Sequence, residues 1–339
     1  MSESFCKTDG RPTRRDVAKL AMVSGTTVSR VLGGRPDESV SAKARQKVLD
    51  AARQLGYTPN SAAKALRSGQ SGLVGLWMCL EYSRFRSEVL AEMRKIFTET
   101  EYALVVNDVD HDYAWHRSLD RALRVPAEGI IAFEPMVPDE AYTGLDVNLP
   151  FVSMGAFCVE SRSYVRVDLR PGAEEATEHL LQIGRKKIAY VKPRGPAYVT
   201  DGERYQGYLS KMTAAGLSPC SIEVAEDPES RVADLRKMLS SPDRPEAVFC
   251  YFDDIAIDAV EVLLSLGLRP GRDVAVVGFN GEEGTERGPC PVSSVRQPIE
   301  EMCRIAYTFL TNQIEDPTLE PELAVLKPKL VVRQSSLPG

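Results

Sequence analysis

A run of short polar residues, Ser24-Gly-Thr-Thr27, followed by Ser29 and Arg30, is the stretch of this 339-residue chain whose types and spacing best suit a chemical task. Hydroxyls and free amides at a helix start can hold phosphate oxygens. Small side chains there also let a helix approach base edges in a major groove. The same residues are common helix caps, so alone they leave a generic three-helix module equally open. Catalytic constellations are absent from the pattern. There is no GxGxxG or GxxxxGK(S/T) phosphate cradle. His111 and His116 lie among Asp108, Asp110 and Asp112 at spacings that fit no metal site, and read as a solvated loop and helix start. No motif supports a Ser/His/Asp or Cys/His arrangement. The expectation is therefore no catalytic residue, no metal and no cofactor.

The elements around the polar run have helix-turn-helix dimensions. Thr13-Arg-Arg-Asp16 has capping-box spacing and opens an apolar series of Val17, Leu20 and Ala21. A second helix from Thr26 to Leu32 puts Val28, Val31 and Leu32 on one face, and Gly33-Gly34 stops it. A third, Ser41 to Leu55, buries Ala44, Val48, Leu49, Ala52 and Leu55 before Gly56. Charge agrees with a polyanion partner. Residues 1–70 carry thirteen Lys and Arg against six Asp and Glu, or +7, which leaves −13 for the rest of a chain with net charge -6. Ser61 to Arg67 forms helix readily but is too short to be stable alone, and Ser68 to Gly72 reads as a linker.

From residue 73 apolar runs alternate with helical stretches. Strands are expected at 73–78, 103–107, 129–133, 151–154, 165–168, 188–191, 222–224, 247–251 and 274–279, with helices at 86–100, 172–183, 203–215, 231–240 and 254–266. Repeated βαβ units imply parallel sheets covered on both faces, and nine strands divide into two doubly wound subdomains. Seven scattered cysteines without a CxxC pair read as reduced thiols. No apolar run of membrane-spanning or signal-peptide length occurs, so a cytoplasmic protein without a membrane partner is expected.

These motifs carry a resemblance. Pro12 to Ala21, Val23-Ser24, Thr27 to Leu32, Val40-Ser41, Arg45 to Val48, Leu55-Gly-Tyr57-Thr-Pro-Asn60 and Ala62 to Arg67 resemble the headpiece of the LacI/galactose-repressor family. The likeness continues through Val167-Asp168, His179 to Gly184, Arg204, Val276 to Phe279, Val295 to Pro298 and Leu330 to Arg333. It implies a small all-α helix-turn-helix headpiece on an α/β body of two doubly wound, periplasmic-binding-protein-like subdomains. The implied divisions are a disordered 1–12, a DNA-binding headpiece 13–58, and a hinge helix and linker 59–71. The body would comprise 72–167 with 298–326, and 168–295 with 328–335, the chain crossing between subdomains three times.

The resemblance also implies roles. Gly25 and Thr26 sit where the operator sequence is chosen, and Arg30 where a guanine edge is reached. Ser24, Thr27, Ser29 and Asn60 match phosphate-contacting positions, with Tyr57 beside them. Leu66 matches the hinge leucine that wedges into the minor groove, and Lys64 lies two residues before it. In the body, Phe85, Asp168, Arg204, Phe252, Asp253 and Asn280 match effector-binding positions. The chain departs from the family at several of these. Met22 replaces a turn glycine, Gly25 replaces a larger base-reading residue, Phe252 stands for an asparagine, and Asn280 replaces a common aspartate. Losing sugar-hydroxyl acceptors while keeping Arg204, with Arg84 and Arg86 nearby, tilts the expected effector toward a sugar acid or sugar phosphate, with a neutral sugar as the alternative. The expected protein is a homodimeric DNA-binding regulator, a repressor, whose operator affinity a small molecule controls. The alternative is a sugar-processing α/β enzyme with an incidental basic head.

Overall fold

The structure, a computed structural model, describes residues 12–32, 40–57, 70–80, 83–109, 115–135, 149–195 and 202–338. The chain divides into two units, 1–71 and 72–339.

Among its described residues the first unit holds three short helices, α1 (Arg14–Ala21), α2 (Gly25–Leu32) and α3 (Ala42–Leu55). The capping box at the start of α1 is formed: Thr13 N and Oγ1 donate to Asp16 Oδ2 at 2.8 and 2.6 Å, and Asp16 N donates back at 3.4 Å. That geometry holds the Asp16 carboxyl below its ordinary range. Ser41 caps α3 through the Ala44 amide, and Gly56 ends it in the left-handed region. Val17, Ala21, Val28, Val31, Val48, Ala51 and Ala52 form the core. These are small residues, so the unit is held by a modest apolar area.

The second unit contains two six-stranded sheets. The first is built from β1 (Leu73–Met78), β2 (Ala103–Asp108), β3 (Gly129–Phe133), β4 (Phe151–Gly155), β5 (Ser163–Val167) and β11 (Leu323–Leu326), in the order β2-β1-β3-β4-β5-β11. The second is built from β6 (Ile188–Pro193), β7 (Cys220–Val224), β8 (Ala247–Cys250), β9 (Ala275–Asn280), β10 (Ser293–Arg296) and β12 (Lys329–Val331), in the order β7-β6-β8-β9-β10-β12. All pairings are parallel except that of β12 with β10. The chain passes between the sheets after β5, after β10 and after β11.

Helices lie on both faces, as parallel sheets require. Among the described residues the intervening helices are α4 (Arg84–Thr98), α5 (Trp115–Ala122), α6 (Arg170–Gln182), α7 (Glu203–Ala214), α8 (Pro228–Leu239), α9 (Asp253–Ser265) and α10 (Ile299–Glu315). Val89, Met93 and Phe97 of α4 and Met302, Ala306 and Leu310 of α10 join one large apolar cluster, while α5 packs on Trp77, Ile130 and Phe151 opposite. Among the described residues no helix is long and apolar enough to cross a membrane.

Three strands were not among the nine expected. β10 hides behind its own polarity: Ser293 and Ser294 are fully buried, held by Ser335, Arg333 and Asp253 through hydrogen bonds rather than apolar contact. β11 is an edge strand whose Leu323 and Val325 face solvent, and β12 is three residues long.

Met22 supplies a test of the first unit. It takes φ 55 and ψ 46 at the end of α1 with its side chain 85% exposed. Left-handed geometry costs a non-glycine residue about 1–2 kcal/mol, of which glycine's extra unfolded freedom returns about 0.5–1 kcal/mol. Met22→Gly is expected to stabilise the unit by about 0.5–1 kcal/mol, read by calorimetry as a transition a few degrees higher. A lower transition would mean that the Met22 side chain contributes packing.

Candidate nucleic-acid interface and ligand cleft

In the first unit α2 presents the polar run on one side and its valines on the other. Ser24 Oγ accepts from the Thr27 amide at 3.1 Å and lies 2.9 Å from Thr27 Oγ1, which closes the first turn of α2. Ser24, Thr26 and Arg30 are exposed, with Thr26 and Arg30 one turn apart on the same face. Ser29 is half-buried and accepts from Arg14 Nη1 at 2.9 Å, so that hydroxyl ties α1 to α2. Gly25 is not demanded by the backbone. Its φ is ordinary, and a Cβ there would meet only Arg14 Nε at 3.8 Å. Tyr57 packs against the three-helix core. Asn60, Lys64 and Leu66, with the expected hinge helix, lie outside the described residues.

In the second unit the strand order reverses between β1 and β3 and between β6 and β8, and crevices at the carboxyl ends of such strands bind ligands in doubly wound folds. Arg204, in the first turn of α7, points into this region of the second sheet. Its guanidinium carbon lies 4.6 Å from the ring centroids of both Tyr251 and Phe279 and 5.6 Å from that of Phe252. Nη2 donates to Asn280 Oδ1 at 3.2 Å, whereas Nε is buried without a hydrogen-bond partner among the described residues. The preceding residue, Glu203, anchors the helix start by accepting from the Leu169 amide at 2.6 Å and from Arg166 Nη1 at 2.8 Å.

Asp168 sits where the chain first leaves β5. It is half-buried, and its Oδ1 accepts from the Arg170 amide at 3.2 Å. Phe85 is 6% exposed and packs on Phe133 with ring centroids 5.9 Å apart. Asp253 is fully buried: Oδ1 accepts from Ser294 Oγ at 2.5 Å and Oδ2 from the Glu282 amide at 2.8 Å. Its carboxylate braces the turn between β9 and β10. Phe252 stacks edge-on against Tyr251 at 4.5 Å. The structure thus brings Arg204, Phe252 and Asn280 into one cluster, with Asp253 directed behind it.

Sequence reasoning missed two acids. Glu134, just past β3 at φ 44, lies within electrostatic reach of Arg204 and Arg86, and withdrawal from water pushes its carboxyl up. Gly155 makes room for it, since a Cβ there would fall 2.5 Å from Glu134 Cγ. Glu282, 4% exposed, accepts from Asn280 Nδ2 at 3.0 Å through Oε1. Burial pushes Asp253 up to about 7 and Glu282 up to about 8. Burial thus favours the neutral form at both positions: near pH 7 Glu282 is mostly protonated and Asp253 stands close to half ionised. Positive φ at Glu134 was the only local sign, and it is invisible before folding. Arg84 pairs with Asp254 at 3.2 Å across the rim, and Glu88 accepts from the Glu283 amide at 2.6 Å.

The raised Glu282 carboxyl makes folding take up a proton. Its stabilising state is present below the unfolded carboxylate range and lost as pH rises through about 8. Glu282→Gln retains the acceptor for Asn280 and removes the titration. Denaturant unfolding from pH 5 to 8.5 is expected to show a pH slope shallower than wild type by up to about 1.4 kcal/mol per unit. Identical slopes would mean that Glu282 ionises normally in the folded protein.

Comparison with known proteins agrees with both units. Residues 13–60 match the model for bacterial regulatory proteins of the lacI family, and residues 177–336 match that for a periplasmic binding protein-like domain. The ribose operon repressor of Halalkalibacterium halodurans is 30% identical over 329 residues, covering 96% of this chain and 98% of that protein. A solved complex of the transcriptional regulator CelR with cellobiose is 30% identical, with TM-score 0.65 over 96% of this chain and all of that one. The lac repressor dimer bound to operator and the anti-inducer ONPF has the same fold, with TM-score 0.80 at 24% identity, over 97% of this chain and 100% of that one.

Proposed function

Because the chain belongs to the lacI family of bacterial regulatory proteins, we propose that it is a repressor that grips operator DNA as a homodimer and is controlled by an anionic sugar bound beside Arg204. Thr26 and Arg30 read base edges from the exposed face of α2, Ser24 and Thr27 hold phosphates at its start, and Asn60, Lys64 and Leu66 act at the hinge. Gly25 leaves the surface open beside Thr26, so recognition leans on Thr26, Arg30 and the shape of the duplex.

The observation that carries the effector reading is the state of Arg204. A guanidinium among three aromatic rings faces a neutral amide, and one of its N–H groups is buried and unpaired among the described residues. A buried donor without a partner costs about 1–3 kcal/mol. A ligand carboxylate or phosphate supplies two acceptors in the geometry a guanidinium fork prefers. Glu282, the acid bonded to Asn280, is pushed up to about 8 by burial, so most of its charge is absent at neutral pH. Ribose and cellobiose, named for relatives, are neutral sugars; the family resemblance implies an aspartate where Asn280 stands, and the loss of that hydroxyl acceptor favours an anionic ligand here.

Selection of duplexes from random DNA with the full chain is expected to yield a near-palindrome. Affinity for it should fall steeply with salt, as several phosphate contacts require, and D-galacturonate or D-gluconate should weaken it. Leu66→Ala is expected to reduce affinity for the selected duplex at least tenfold and for random duplex little. Failure to enrich any palindrome, or equal losses on both duplexes, would refute this arrangement.

A further inference from the structure

Strands β1 and β3 begin around one carboxylate. Glu128, half-buried just before β3, holds the chain entering β1 at two points. Its Oε1 accepts from the Gly72 amide at 2.5 Å, and its own amide donates to the Leu73 carbonyl at 2.8 Å. The Gly72 carbonyl accepts in turn from the Ala103 amide at 2.8 Å, where β2 begins. Gly72 is thereby held on both sides. Its φ of 68 lies in the left-handed region that glycine enters without steric cost. A Cβ at Gly72 would meet nothing within 4 Å, so the backbone angle rather than crowding calls for glycine.

Gly72 is the first residue of the second unit, and its amide belongs to the peptide through which the linker enters that unit. The Glu128 carboxylate therefore fixes the plane of that peptide. Sheet pairing does not call for a charge here, because β1 pairs with β2 from Leu73 onward and with β3 from Val74 onward through backbone bonds alone. Nor is the charge used elsewhere: Glu128 makes no ion pair among the described residues. A bond from an amide to a carboxylate is shorter and stronger than one between neutral groups. An acid committed to one amide at the root of a linker suits the task of aiming what the linker carries.

We propose that Glu128 is a positioning residue for DNA binding: by clamping the Gly72 amide it sets the direction in which the linker leaves the body, and so the half-site spacing that two headpieces reach together. A dimer meets its two half-sites at a fixed separation. Once one headpiece is bound, the effective concentration of the other at its own half-site depends on how far the connecting chain roams. A root fixed at Gly72 narrows that range, and each residue released there adds conformational states that binding must remove. Glu128 touches no DNA and acts only through Gly72. The inference rests on the reading that the chain grips its operator as a homodimer.

The test uses the full chain and three duplexes: the near-palindrome selected as above, the same sequence with a short insertion of about two base pairs at its centre, and one half-site alone. Fluorescence anisotropy reads affinity. Wild type is expected to bind the palindrome at least about 100-fold more tightly than the half-site, as bivalent engagement allows, and to lose about tenfold or more on insertion. Glu128→Ala is expected to lower palindrome affinity about tenfold, to leave half-site affinity within about twofold, and to shrink the insertion penalty about threefold or more. Glu128→Gln keeps an acceptor for the Gly72 amide and is expected to restore palindrome affinity to within about threefold of wild type. Gly72→Ala opposes the same backbone angle without touching the carboxylate, and its profile is expected to follow that of Glu128→Ala. An insertion penalty as large as wild type's in both alanine variants overturns the proposal. So does an equal loss on palindrome and half-site, which marks a general effect on folding. A wild-type chain that binds the half-site as tightly as the palindrome overturns the homodimeric reading itself.

Discussion

The second unit depends on one guanidinium kept partly out of water with a neutral partner. Arg204 lies against Tyr251, Phe279 and Phe252 and meets the amide of Asn280 rather than a carboxylate. Ring faces and one amide oxygen offset part of the cost of burying a cation, and the unpaired Nε leaves the remainder unmet. An anionic ligand can meet it. The same constraint explains the surrounding acids. Glu134 is within electrostatic reach of the arginine, and burial pushes its carboxyl up, as it does those of Asp253 and Glu282.

The fold places that cation beside passages between its sheets. α7 begins next to the first crossing between sheets, where Glu203 grips the Leu169 amide, and Asn280 ties Arg204 to the second crossing through Gln297. Ionic and polar contacts from α4 to the start of α9 and the turn after β9 join the halves at the rim. The first unit is suited to respond to modest changes. Its helices are 8, 8 and 14 residues long around a core of valines and alanines, so little apolar burial supports it.

Much of this was legible before folding, and what was not has physical reasons. The capping box at Thr13 and Asp16 and the fully buried strand at 129–133 announce themselves through local chemistry and an unbroken apolar run. β10 did not, because buried serines that satisfy one another look like a loop. In the cleft, Arg204 and Asn280 were visible through the family resemblance, yet their contact joins residues 76 positions apart. Asp253 carries a motif position but turns its oxygens to Ser294 and the Glu282 amide, and only the packed turn reveals that. Glu134 and Glu282 gained their significance from burial, which no local pattern encodes.

The claim that Arg204 selects for negative charge is tested most directly by titrating the full chain calorimetrically with a sugar acid and its neutral parent, D-galacturonate against D-galactose. The account predicts that the acid binds at least tenfold more tightly to the wild type, since charge-assisted hydrogen bonds contribute about 1.5–3 kcal/mol, and that Arg204→Met abolishes the difference. Equal affinity for the two sugars in the wild type, or a preference for the acid that survives Arg204→Met, would contradict it.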